Sequence, residues 1–158
     1  MKSDLHAGER DREPVSNSDA HQVRILIVED EYILAANLKE ILESLGFTVS
    51  GVADSFESIL EQVVRCCPDL VLMDIRLNGV LDGIDAARFL WNTIEVPIIY
   101  LTGHSDQLTL ERAFKTLPFG YLLKPVNVAE LSAAIAVALH ACEPVSLNST
   151  PKSTGTIP

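Results

Sequence analysis

A chain of 158 residues with 47% hydrophobic content can bury one core and is read as one domain. Its net charge of -10 argues against nucleic-acid binding, which depends on Lys and Arg neutralising phosphates. The first twenty residues carry Lys2, Glu9, Arg10, Asp11, Arg12 and Glu13 with no apolar block, and no apolar stretch reaches the roughly 20 residues of a membrane span, so neither a signal peptide nor membrane insertion is expected.

Residues 1–22 are polar and charged and predict a disordered N-terminal tail. Val23 to Val28 is the first apolar run; it ends in Glu29-Asp30-Glu31 and leads into helical periodicity from Glu31 to Leu45, with Gly46 placed as a C-terminal cap. Thr48 to Ala53 is followed by a helical pattern from Ser55 to Cys66, and Asp54 with Glu57 has capping-box spacing. Leu70 to Met73 runs into Asp74, with a helix over Ile84 to Trp91. Pro97 to Leu101 runs into Thr102-Gly103, then a helix over Asp106 to Thr116. Gly120 to Leu123 runs into Lys124-Pro125; Asn127 with Glu130 repeats the cap spacing before a helix over Val128 to Ala141. Residues 142–158, rich in Pro, Ser and Thr, predict a second disordered tail, which leaves 23–141 as the folded domain. Cys66, Cys67 and Cys142 form neither a metal spacing nor an even disulfide set, so a reducing, cytoplasmic compartment is expected.

The order is βα repeated five times, and the central runs lack polar alternation, as strands covered by helices on both faces do. A doubly wound α/β fold with a five-stranded parallel sheet follows. In such sheets ligands bind beyond the carboxyl ends of the strands. The residues there are Glu29, Asp30, Asp54, Asp74, Thr102, Gly103 and Lys124, with Asp54 set aside because a helix cap accounts for it.

Taken singly, each has a structural explanation: a strand-end Asp is usually a cap or turn residue, an acidic helix start answers the helix dipole, and Thr-Gly is an ordinary turn. Together, at corresponding ends of successive strands, they define a site. Carboxylates crowded to 4 Å repel by about 4 kcal/mol per pair at an effective dielectric of 20, so a cation must join them. Mg²⁺ suits oxygen ligands of this kind, and Lys124 adds a fixed positive charge. A phosphoryl group in transfer spreads charge over three oxygens, which a metal ion, the Lys124 ammonium, the Thr102 hydroxyl and the Gly103 amide could cover.

From Val23 to Ala141 the chain resembles the response-regulator receiver domains of two-component signalling, whose fold is the flavodoxin-like, CheY-like sheet of strand order 2-1-3-4-5. The resemblance implies that Glu29 and Asp30 organise Mg²⁺, that Asp74 accepts phosphate from a phosphohistidine, and that the backbone carbonyl of Arg76 completes the metal ligands. It implies that Thr102 turns towards the phosphoryl group, that Gly103 leaves room for it, that Lys124 contacts a phosphoryl oxygen ahead of a cis Pro125, and that Tyr121 is the aromatic switch partner of Thr102. Arg76 and His104 occupy positions where the family tunes the lifetime of the acyl phosphate, although for His104 an ordinary solvated loop side chain is the preferred explanation. The chain departs from the family in its acceptor loop: Leu77-Asn78-Gly79-Val80-Leu81 stands where Met-Pro and an earlier Asp-Gly are usual. Val126 follows Pro125 where an aromatic is common.

The reading that follows is a single-domain response regulator, not an enzyme, that receives phosphate from a histidine kinase or histidine phosphotransfer protein and signals through protein contacts. Ala133 to Leu139 carries no charge, so a homodimer or downstream partner covering the last helix is expected, against small alanines tolerated in solvent. A Mg²⁺-dependent phosphohydrolase is the main competitor; such enzymes typically place a second acid where Arg76 stands. A non-phosphorylated receiver-like module is the other, although none of the acceptor, metal or lysine positions is lost.

Overall fold

The computed structural model describes residues 22–103 and 107–142. His104, Asp106 at the expected start of the fourth helix, and nearly all of both expected tails lie outside the described residues. The element order is β1 (Arg24–Val28), α1 (Tyr32–Ser44), β2 (Thr48–Ala53), α2 (Phe56–Cys66), β3 (Leu70–Asp74), α3 (Gly83–Ile94), β4 (Ile98–Thr102), α4 (Gln107–Phe114), β5 (Gly120–Leu123) and α5 (Val128–Cys142). Every strand pair is parallel and the sheet order is β2-β1-β3-β4-β5, as expected.

Side chains alternate between two cores. Leu26, Val28, Val71, Met73 and Tyr100 face α2, α3 and α4, where Ile59, Ile84, Leu90 and Ala113 meet them. Ile25, Ile27, Leu70, Leu72, Ile99 and Leu101 face α1 and α5, against Leu38, Leu42, Leu131 and Ile135. Burial on both sides explains the unbroken apolar runs of β1, β3 and β4. Each fully buried Leu or Ile contributes about 1.5–3 kcal/mol of transfer free energy, so an ionisable group in these strands needs a specific compensation.

The helix ends refine the sequence reading. Gly46 adopts φ +87°, and Gly46 N–H and Phe47 N–H donate to the carbonyls of Glu43 and Leu42, the two bonds of a Schellman motif. The capping box expected at Asp54 and Glu57 lies one residue later: Ser55 Oγ accepts from the Ser58 amide and Ser58 Oγ accepts from the Ser55 amide. Asp54 accepts from both hydroxyls, and these bonds hold its carboxyl below the ordinary value, which keeps it occupied away from the other acids. Asn127 Oδ1 caps α5 by accepting from the amides of Ala129 and Glu130. That helix extends one residue beyond the expected boundary, to Cys142, and its solvent side presents Ala133, Ala136 and Val137. Among the described residues, no helix is long and apolar enough to cross a membrane.

Candidate functional site

Three polar or charged side chains among the described residues are buried: Glu29, Asp74 and Thr102, at 2%, 6% and 3% exposure. All three were expected at the site, and each closes a central strand. β1 delivers Glu29 just past Val28, β3 ends on Asp74, and β4 ends on Thr102. Asp74 pairs in register with Leu101, and Lys124 N–H donates to the Thr102 carbonyl at 2.8 Å, so four chain segments converge at one edge.

Lys124 binds the two buried acids directly. Its Nζ lies 2.5 Å from Glu29 Oε2 and 2.7 Å from Asp74 Oδ2. Burial works against the charge of the lysine, but its bonds to Asp74 and Glu29 outweigh that and raise its pKa, so it is a cation at neutral pH. Burial pushes the Glu29 carboxyl above its ordinary value, and the charge of Asp74 adds to the rise against the pull of Lys124. The two acids share one ammonium, and Glu29 is the more deeply enclosed of them. The second Glu29 oxygen, Oε1, accepts from the amide of Glu31, which precedes α1. Asp74 Oδ1 accepts from the Arg76 amide at 3.0 Å.

Asp30 completes the acidic group. Ligand oxygens of Glu29, Asp30 and Asp74 all lie within 4.8 Å of one another. Three carboxylates facing one lysine leave excess negative charge and a set of hard oxygen donors, which fits a divalent cation such as Mg²⁺. Asp30 Oδ2 also accepts from both the backbone amide and the side-chain amide of Asn78.

The remaining expected residues stand around this group. Thr102 Oγ1 donates to the Gly103 carbonyl at 2.8 Å. Among the described residues, nothing stands within 4 Å of where a Cβ at Gly103 would lie. The Lys124–Pro125 peptide is cis. Tyr121 is not in the acidic group; its ring lies 5.6 Å from Tyr100 and 4.8 Å from Phe114 between centroids, and its buried hydroxyl has no described partner. Arg76 contributes a backbone amide while its side chain is exposed. An apolar cleft lined by Leu34, Leu38, Leu101 and Val126 opens beside Glu29 and Lys124.

Two contributors were not singled out from the sequence. Gly83 begins α3 against the backbone of Asp74, and Asn78 reaches Asp30 from the loop after β3. The Asp82-Gly83 pair carried a usable signal, since a glycine directly after an N-capping acid at a helix start has no propensity reason to be there.

The family model for the response regulator receiver domain matches residues 25–136. The chain belongs to that family. This receiver is 35% identical over 127 residues to the transcriptional regulatory protein PdtaR of Mycobacterium tuberculosis, covering 80% of this chain and 62% of that protein. It is 38% identical to the phyllosphere-induced regulator PhyR of Methylorubrum extorquens, over 73% of this chain and 43% of that one. The receiver therefore spans less than two thirds of these curated relatives. The solved receiver domain of a modulated diguanylate cyclase from Desulfovibrio desulfuricans superimposes with a TM-score of 0.73 at 42% identity, covering 76% of this chain and 95% of that one.

Proposed function

We propose that this receiver takes a phosphoryl group onto Asp74 from a phosphohistidine of a histidine kinase or histidine phosphotransfer protein and passes the signal on through protein contacts. The observation that carries the reading is the Lys124 ammonium bridging Glu29 and Asp74, the two acids buried beneath the sheet edge. Burying carboxylates costs several kcal/mol each unless they are compensated, so a chain that keeps two of them beside a third has a use for them.

Asp74 Oδ2 is the nucleophile in this reading. Its new bond to phosphorus forms as the phosphorus–nitrogen bond of the phosphohistidine breaks, and the imidazole leaves with the electron pair. Glu29, Asp30, Asp74 and the Arg76 carbonyl would hold Mg²⁺, which when bound neutralises phosphoryl oxygens. Lys124 moves from pairing with a carboxylate to pairing with a phosphoryl oxygen, so its charge stays satisfied on both sides of the reaction. Gly103 leaves space for the group, and the Thr102 hydroxyl exchanges the Gly103 carbonyl for a phosphoryl acceptor.

In this reading, rotation of Thr102 opens space that Tyr121 can fill. The orphaned Tyr121 hydroxyl supports a second position for that ring, because a buried donor without a partner gains by moving to one. Exposed Leu108 and Phe114 of α4, Leu123 of β5 and Val137 of α5 supply apolar surface from which a homodimer or downstream partner could read the change.

Intact-mass measurement after incubation with acetyl phosphate and Mg²⁺ tests the reading: wild type gains one phosphoryl mass and Asp74→Asn gains none. An equal adduct on both would remove Asp74 from the role.

A further inference from the structure

The acceptor loop departs from the family's usual Met-Pro, and the departure has a geometric consequence. Asn78 sends two donors to one oxygen, Asp30 Oδ2: its backbone amide at 3.1 Å and its side-chain amide. The residues are 48 apart in sequence, so this contact staples the acceptor loop to the segment after β1. A proline at this place could supply neither donor.

The loop is built to aim them. Leu77 is buried and anchors it, while Arg76 and Asn78 on either side send their amides to Asp74 Oδ1 and Asp30 Oδ2. Two alternate amides of one loop thus fix two of the three acids. Both Asn78 donors occupy the same oxygen of Asp30, which leaves Oδ1 for a cation. Glu29 is held by Lys124 and the Glu31 amide, and Asp74 by Lys124 and the Arg76 amide; the bonds described for Asp30 both come from Asn78.

We infer that Asn78 is a positioning residue for the cation site: it holds Asp30 with one carboxylate oxygen turned to the metal. The inference rests on the proposed Mg²⁺ role of Asp30. Removing a partner that orients a metal ligand typically weakens binding by about 10- to 100-fold.

Isothermal titration of Mg²⁺ into the metal-free protein provides the test. Asn78→Ala, which keeps the backbone donor, raises the Kd about tenfold. Asn78→Pro, which removes both donors, raises it at least as far, and Asn78→Gln, which keeps an amide, recovers part of the loss. Thermal unfolding without metal should change little in Asn78→Ala, since the loop is exposed beyond Leu77. In metal-free wild type the Asn78 amide proton is protected from exchange, and Asp30→Ala exposes it. Mg²⁺ affinity in Asn78→Ala equal to or tighter than wild type would overturn the inference alone. Absence of Mg²⁺ binding by wild type would overturn both it and the reading of the site.

Discussion

Gly83 and Asp74 touch through their backbones: a Cβ built on Gly83 would lie 1.9 Å from the Asp74 carbonyl oxygen. The contact is locked by the Gly83 amide donating to the Ile75 carbonyl at 3.1 Å and by Asp82, whose Oδ1 caps α3 through the amides of Ile84 and Asp85. The first turn of α3 therefore sets where β3 ends.

Gly83→Ala must displace either α3 or the end of β3, because the obstructing atoms are backbone and cannot rotate away. Overpacking of this kind costs about 1–3 kcal/mol. Urea denaturation should show that loss, and the Mg²⁺ affinity of the folded variant should fall with it. Wild-type values in both measurements would refute the packing argument.

Arg112 of α4 grips the same turn from outside. Its Nη1 lies 2.7 Å from Asp82 Oδ2, and its Nη2 reaches Asp85 Oδ2 at 3.4 Å. Burial opposes the charge of Asp82, but Arg112 and the α3 amides outweigh it and hold the carboxyl below its ordinary value. A depressed carboxyl stabilises the fold above its unfolded value near 3.8 and loses that contribution as pH falls through its folded value. The pair is substantially exposed, so Arg112→Ala should cost at most about 1 kcal/mol at pH 7 and low salt. The difference should shrink in 1 M salt and in acid below pH 4; a deficit indifferent to both would mean that the side chain acts by packing instead.

The apolar runs, their order and the placement of Glu29, Asp30, Asp74, Thr102, Gly103 and Lys124 at strand ends were legible in the sequence because each obeys a local rule. Within a repeating βα order, Leu70 to Met73 reads as a doubly covered strand because it lacks polar alternation, and Asp74 directly after it reads as the strand's end. The wiring was less legible because it depends on atoms far apart in the chain. Lys124 reaches Glu29 across 95 residues, and Asn78 reaches Asp30 across 48. The misplaced capping box has a local cause: Asp54 and Ser55 are both good caps, and the tie was broken by Ser58, whose hydroxyl returns a bond that Glu57 does not make.

Tyr100 and Tyr121 stack on neighbouring strands but differ in their hydroxyls: Tyr100 bonds to Thr116 Oγ1 at 2.9 Å, whereas Tyr121 has no described partner. Burial pushes both phenols up to about 12. A raised phenol stabilises the fold fully below its unfolded value of 10.0 and loses that contribution as pH climbs towards 12. Tyr121→Phe keeps the ring contacts and deletes an unsatisfied group, so at pH 7 it should be as stable as wild type or more so by about 1 kcal/mol. Spectrophotometric titration should also lose one of the phenols ionising near pH 12. A clear loss of stability in this variant would show that the hydroxyl has a partner.

Lys124 is where the site's electrostatics can be separated from its packing. Lys124→Met retains much of the aliphatic stem but leaves Glu29 and Asp74 facing each other without the ammonium that lay within 2.7 Å of each. Breaking a buried pair by removing one partner costs about 3–5 kcal/mol, and the lysine's partial exposure places the expected loss at pH 7 near the lower end, about 3 kcal/mol. The pH dependence follows from Glu29, whose carboxyl is already raised by burial and by Asp74 and rises further without the lysine. A raised carboxyl favours the fold below its unfolded value of 4.5 and withdraws that support as pH rises through its folded value. The deficit of Lys124→Met should therefore be largest at pH 7 and shrink as pH falls and Glu29 takes up a proton. Added Mg²⁺ at pH 7 should restore part of it by replacing the missing positive charge. Denaturation curves at pH 5 and 7, with and without Mg²⁺, measure all of this; a deficit that neither acid nor metal reduces would mean that Lys124 supports the fold by its stem and not by its charge.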